Sequence, residues 1–165
     1  MMNIRPVELT DAAQIAEIYN HYIATSVATF EIEAIDAAEM ERRISEKLAG
    51  NYPFFVAEEN GAIVGYAHGS QFKARRAYEN TVEISVYIKD GSHGKNIATL
   101  LYRALFPEIT RRGFHTAIAG ISLPNEASVK LHEKFGMVQV AHFKEVGFKF
   151  GRWIDTGYWQ VVLNK

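Results

Sequence analysis

The run Thr81-Val82-Glu83-Ile84-Ser85-Val86-Tyr87-Ile88 alternates aliphatic and polar residues, so Glu83 stands on the face opposite the row Val82, Ile84, Val86 and Ile88. A carboxylate there could serve as a general base. The same position also suits a Glu paired with Lys or Arg. Directly after this run comes Asp90-Gly91-Ser92-His93-Gly94-Lys95-Asn96, which leads from a strand into a helix. Free amides and the helix dipole at such a junction favour an anion, so a phosphate-bearing ligand is expected, with a plain Gly-containing connection as the alternative. A P-loop would need Gly where Lys89 stands and Ser or Thr in place of Asn96, and a Rossmann fingerprint would need a third glycine besides Gly91 and Gly94.

Two further groups carry polar chemistry. Lys73, Arg75, Arg76 and Tyr78 precede the Glu83 run and could hold a small carboxylate or phosphinate, although a solvated basic loop has the same composition. His132, beside Glu133, could donate a proton or polarise a site, or lie on a helix surface. His21, His68, His115 and His142 show no metal-binding spacing, so no catalytic metal is expected.

The elements that position these residues alternate along the chain. A strand near Ile4 is followed by a helix with Thr10 as its expected N-cap and Ile15, Ile18, Tyr19 and Tyr22 on one face. Asp36 is expected to cap a second helix that ends at Gly50. Phe54 to Ala57 and Ile63 to Ala67 flank Asn60-Gly61, a pair that supplies the positive φ angles of a tight hairpin turn. Ile97, Leu100, Leu101, Ala104 and Leu105 share a helical face, and Pro107 is expected to kink or end that helix. A strand at Thr116 to Ile121, a short helix from Asn125 to Phe135 closed by Gly136, and two C-terminal strands complete an α+β chain with a mixed sheet.

The chain has 165 residues, 48% apolar and 22% charged, which fits one globular domain over residues 1–165. Lys plus Arg number 18 against 19 for Asp plus Glu, so the net field gives no reason to expect nucleic acid or an anionic membrane as partner. Charges begin at Arg5 and no stretch approaches the length of a membrane span, so a cytoplasmic protein is expected. The absence of cysteine excludes disulfides and an acyl-cysteine intermediate.

A strand with a mid-strand acid, an anion-type loop, a helix, a strand and then Asn125-x-x-Ser128-x-x-Leu131 resembles the GNAT N-acetyltransferases. Their loop pattern, Gln/Arg-x-x-Gly-x-Gly/Ala, is met by His93, Asn96 and Ala98, with Asn96 in place of the usual glycine. The segments Asn20-His21-Tyr22-Ile23, Lys73-Ala74-Arg75, Ala77-Tyr78, Leu123-Pro124-Asn125 and His132-Glu133 are similar to the phosphinothricin and methionine sulfoximine acetyltransferase branch. So is the C-terminal run Gly147-Phe148-Lys149-x-Gly151-x-Trp153-x-Asp155-x-Gly157-x-Trp159-Gln160. The resemblance covers nearly the whole chain.

It implies the GNAT fold, a mostly antiparallel mixed sheet flanked by helices, and direct transfer from acetyl-CoA to the α-amino group of a small amino-acid analogue. Glu83 would be the general base and His132 a second catalytic group. Val86, Tyr87 and Ile88 would pair with the pantetheine arm, Gly94, Lys95, Asn96, Ile97, Ala98 and Thr99 would hold the pyrophosphate, and Asn125 would touch the cofactor. Lys73, Ala74, Arg75, Tyr78, Glu83, Ile84 and Ser85 would contact the acceptor. The branch also implies a homodimer. Another small amine or a protein N-terminus as acceptor, or a CoA-binding sensor without turnover, stay open as alternatives.

Overall fold

The computed structural model describes residues 1–163; of the expected 1–165 domain, the last two residues lie outside the described residues. One seven-stranded sheet runs through it. The strands are β1 (Met2–Pro6), β2 (Phe54–Glu59), β3 (Ala62–Gln71), β4 (Thr81–Ile88), β5 (Thr116–Leu123), β6 (Val138–Lys149) and β7 (Arg152–Val162), in the spatial order β1-β2-β3-β4-β5-β7-β6. Every neighbouring pair is antiparallel except β4 with β5. The helices are α1 (Ala12–Thr25), α2 (Ala37–Ala49), α3 (Ile97–Arg111) and α4 (Glu126–Lys134). Among the described residues no helix is long and apolar enough to cross a membrane.

Across β2 to β4 the sheet is buried on both faces, because α1 and α2 cover one and α3 the other. Ile15, Ile44, Phe54, Val56 and Tyr66 pack on the first face. Val82, Ile84, Leu101, Leu105, Ile109 and Ala117 pack on the second. Each such aliphatic side chain stabilises the fold by about 1.5–3 kcal/mol. Gly65 on β3 lets α3 sit close to the sheet, since a Cβ there would lie 3.0 Å from Ile88 Cδ1 and 3.2 Å from Ile97 Cγ2.

Asp36 caps α2 by accepting the Glu39 N–H at 2.8 Å, and Gly50 ends it. Asn60 and Gly61, with φ of 53° and 81°, form the hairpin turn. Two expectations need correction. Thr10 does not cap α1: residues Leu9–Asp11 form a 3-10 turn, in which Asp11, bonded to Arg5, accepts the Glu8 N–H at 2.8 Å. Pro107 does not end α3, which continues to Arg111; burial of Leu105 and Ile109 on either side of Pro107 outweighs one missing backbone hydrogen bond.

Candidate active site

The parallel ladder between β4 and β5 is short. It pairs Thr81 with Thr116, Val82 with Ala117 and Glu83 with Ile118, and then stops, while β4 runs on to Ile88 and β5 to Leu123. Over that stretch β5 stays paired to β7 and β4 to β3, so the two strands splay and the facing edge of Ile84 to Ile88 has no strand partner. Obligatory backbone donors and acceptors left open in this way invite a ligand to act as a strand. A cavity of about 500 Å³ fills the splay. Its lining includes the expected Val86, Tyr87, Ile88, Ala98, Thr99 and Asn125, and also Ile84, Ser85, His93, Tyr102, Ser128 and His132.

At its outer end the cavity meets the N-terminus of α3. Gly94 and Asn96 both take left-handed conformations, with φ of 86° and 62°, which fold the loop so that the first helical amides face outward. The first backbone bond of the helix runs from Leu100 N–H to the Asn96 carbonyl at 3.1 Å, leaving the amides before it free for an anion. Two side chains of this segment point elsewhere. The Ile97 side chain is buried in the core, and Lys95 Nζ lies 3.1 Å from Glu59 Oε1, so these residues can offer their amides but not their side chains.

Glu83 stands where the ladder stops, next to Ile84 and Ser85 of the cavity wall but not itself part of that wall. Its side chain is half-buried and, among the described residues, has no hydrogen-bond or ion-pair partner, and burial pushes its carboxyl above the usual Glu range. It is therefore not the surface ion pair that its strand position also allowed. Ser85 and Tyr87 follow it on the same face, with Ser70 and His68 as the cross-strand partners of Glu83 and Ser85. Ile84 points the other way into the core, so only its backbone faces a ligand.

His132 is buried on α4 rather than on a helix surface. Its Nδ1 lies 2.7 Å from the Ser128 carbonyl, which can only accept, so Nδ1 carries the proton. Nε2 then accepts from the Tyr102 hydroxyl at 2.9 Å. Burial holds this imidazole below its ordinary pKa, which makes it the neutral member of a buried pair. Asn125 caps α4 by accepting the Ser128 N–H at 3.1 Å, fixing the turn on which this geometry depends.

Lys73, Ala74, Arg75 and Tyr78 lie on the exposed connection between β3 and β4 and line neither this cavity nor a second one described below. The Lys73 ammonium sits over the Phe72 and Tyr78 rings at 5.4 and 5.3 Å, and Arg75 precedes the 3-10 turn Arg76–Tyr78.

Reading the sequence missed Tyr102, hidden within the apolar face of α3, and Lys149. The Lys149 ammonium is buried and donates to the Ser26 and Thr29 carbonyls at 2.7 and 2.9 Å, tying the loop after α1 to the β6–β7 hairpin. Its place in the Gly147-Phe148-Lys149 run was visible in the sequence, but its carbonyl partners were not.

An acetyltransferase (GNAT) domain model matches residues 4–157. The phosphinothricin N-acetyltransferase of Streptomyces viridochromogenes is 37% identical over 96% of this chain and 86% of that protein. The L-methionine sulfoximine/L-methionine sulfone acetyltransferase of Salmonella typhimurium is 35% identical over 99% of this chain and 96% of that protein. A phosphinothricin acetyltransferase from Sinorhizobium meliloti, solved in complex with AcCoA, superposes with a TM-score of 0.95 at 37% identity, covering 98% of this chain and 88% of that one. With the splayed strands, the free helix amides and full-length similarity in agreement, this chain belongs to the GNAT acetyltransferase family.

Proposed function

We propose that this protein transfers the acetyl group of acetyl-CoA to the α-amino group of a small amino-acid analogue of the phosphinothricin, methionine sulfoximine or methionine sulfone type. The observation that carries this reading is Glu83: an unpaired, half-buried carboxylate at the point where β4 and β5 part. The names of the relatives supply the acceptor class.

The donor fits what the chain offers. The free edge of Val86 to Ile88 suits the amides of a pantetheine arm, the amides of Gly94 to Thr99 suit a pyrophosphate, and Asn125 borders the same cavity. Glu83 takes a proton from the acceptor ammonium, directly or through water, and the free amine attacks the thioester carbonyl. A backbone N–H of the open β4 edge stabilises the oxyanion, the C–S bond breaks, and the departing thiolate takes up the second proton, shed by the attacking nitrogen as the amide forms, so that CoA leaves as the thiol. His132, its own N–H held by Ser128, polarises the site by fixing the Tyr102 hydroxyl. Direct transfer suits a chain that has no cysteine to carry an acyl group.

Lys73, Arg75 and Tyr78 would hold the acceptor's anionic end, with Ala74, Ile84 and Ser85 contributing backbone or hydroxyl contacts. Such a clamp opposes polycationic acceptors. Acetylation removes the acceptor's ammonium charge, a change that would inactivate a phosphinothricin-type herbicide. The protein would act in the cytoplasm as one domain. Its assembly would be a homodimer, a reading supported by the β6–β7 hairpin, which exposes Val138, Val140, Phe143, Val146, Phe148 and Trp153, each about half exposed or more.

The test is thiol release from acetyl-CoA against a panel of acceptors. Phosphinothricin, methionine sulfoximine and methionine sulfone should turn over, and spermidine and an aminoglycoside should not. Tight CoA binding with no thiol release for any amino-acid acceptor would overturn the reading.

A further inference from the structure

A second cavity, of about 220 Å³, lies beneath α2 on the face that carries Glu83. Ser85 and Tyr87 line both this cavity and the large cleft, so the two spaces meet across β4. Ser85 is two residues from Glu83, about 7 Å along a strand, which is within reach of a glutamate-length side chain whose amino group is at Glu83. The volume is roughly seven times the ~30 Å³ share of a liquid water, enough for a compact side-chain terminus.

The charges of this cavity are unevenly matched. Arg43 donates to Glu31 at 2.7 and 2.8 Å and to Glu39 at 2.7 Å, and Glu31 also accepts from Tyr19, so these groups satisfy one another. Lys47, one helical turn further along α2, lines the cavity and, among the described residues, has no hydrogen-bond or ion-pair partner. Burial and the nearby Arg43 charge both push its ammonium below the ordinary range. The facing His68 is driven down to about 3 by burial and by the Lys47 charge, so it adds a neutral imidazole. Ser70 and Ser85 add hydroxyls. An anion with several acceptor oxygens would offset the strain on Lys47 and find donors around it.

We propose that this cavity is the subsite for the acceptor's side chain and that Lys47 selects acceptors whose side chain ends in an oxyanion, such as a phosphinate, over those with an uncharged end. The inference rests on the acetyl-transfer reading above and extends it, because an amino acid with an anionic side chain presents two anions. The loop around Lys73 and Arg75 would take one, and Lys47 the other.

Phosphinothricin and methionine sulfone differ in this respect, so the test is the ratio of their kcat/KM values. In Lys47→Met that ratio should fall by about tenfold or more, the scale of one lost charge-assisted hydrogen bond, while Lys47→Arg should keep it within about threefold. A Lys47→Met ratio within twofold of the wild type overturns the proposal, as does an equal loss for both acceptors. If the wild type acetylates neither acceptor, the acetyl-transfer reading fails by itself, and calorimetry with phosphinothricin decides the subsite. A Kd about tenfold weaker in Lys47→Met supports it; equal Kd values, or no binding to the wild type, overturn it.

Discussion

The Tyr102 hydroxyl and His132 Nε2 lie 2.9 Å apart in the wall of the large cleft, with His132 held in one tautomer by its bond to the Ser128 carbonyl. Both side chains are buried, so the Tyr102 hydroxyl and His132 Nε2 depend on each other for a partner. Tyr102→Phe would leave Nε2 without a donor. The expected cost is about 1–3 kcal/mol, and calorimetry should record a Tm lower by about 3–10 °C. We further expect kcat to fall more than acetyl-CoA affinity, and an unchanged kcat would remove this pair from the mechanism.

Glu83→Gln keeps the shape and removes the proposed base. The variant should fold and bind CoA normally and lose roughly 10²-fold or more in kcat. Its rate should climb with pH, because more of the amine then arrives already deprotonated. In the wild type, the acid limb of kcat/KM should fall above the ordinary Glu value, since burial raises the Glu83 carboxyl. Near wild-type kcat in the variant at pH 7 would exclude Glu83 as the base.

Acid should weaken the fold. His68 and His132 are both held below the ordinary His pKa by burial, so the unfolded chain binds more protons and stability rises with pH. Their contribution is complete above about pH 6.5 and drains away as pH falls below it, for His68 down to about 3. Glu31, held below the usual range by Arg43, acts in the same direction at lower pH, and Glu83 opposes it. Urea unfolding at pH 7 and pH 5 should differ by up to about 1.4 kcal/mol per pH unit per imidazole, and His68→Gln should flatten the slope. Equal unfolding free energies at the two pH values would contradict this account.

Asn96 has φ of 62° and its side chain makes no capping bond. Asn96→Gly should therefore leave Tm nearly unchanged and hold or improve CoA affinity, because glycine adopts this conformation freely and brings the backbone closer to a pyrophosphate. Asn96→Val should destabilise the protein by about 1–2 kcal/mol and weaken CoA binding. A glycine variant that binds CoA tenfold more weakly would show that the Asn96 side chain itself contacts the ligand.

Phe148 and Trp153 pack against each other at 4.7 Å between ring centres, yet both are more than half exposed. If this hairpin face joins two copies, light scattering should report a dimer for the wild type and a monomer for Phe148→Glu combined with Trp153→Glu. A monomeric wild type at assay concentration would remove the dimer reading.

Much of the fold was legible in local pattern. The alternation of Thr81 to Ile88, the Asn60-Gly61 turn, the Asp36 cap and the apolar stripe of Ile97 to Leu105 each predicted an element that forms, because each depends on neighbours within a turn or a strand. Of the kink or end expected at Pro107, the end does not occur, because the proline's local cost is outweighed by burial of Leu105 and Ile109 against strands distant in sequence. Thr10 misled because Asp11, held by Arg5, satisfies the amide at the chain's entry into the helix instead.

The sequence by itself determined the family, the alternating face that carries Glu83 and the junction that opens α3, since spacing and residue type suffice for these. Only the tertiary structure decided that the ladder ends at Glu83, that His132 is buried against Tyr102, and that Lys47 faces a cavity without a carboxylate partner. Those facts come from contacts between segments far apart in the chain: α3 with α4, and α2 with β3 and β4. Burial, which raises the Glu83 carboxyl and lowers the His68 and His132 imidazoles from their ordinary pKa values, is a property of the packed chain and of no local stretch.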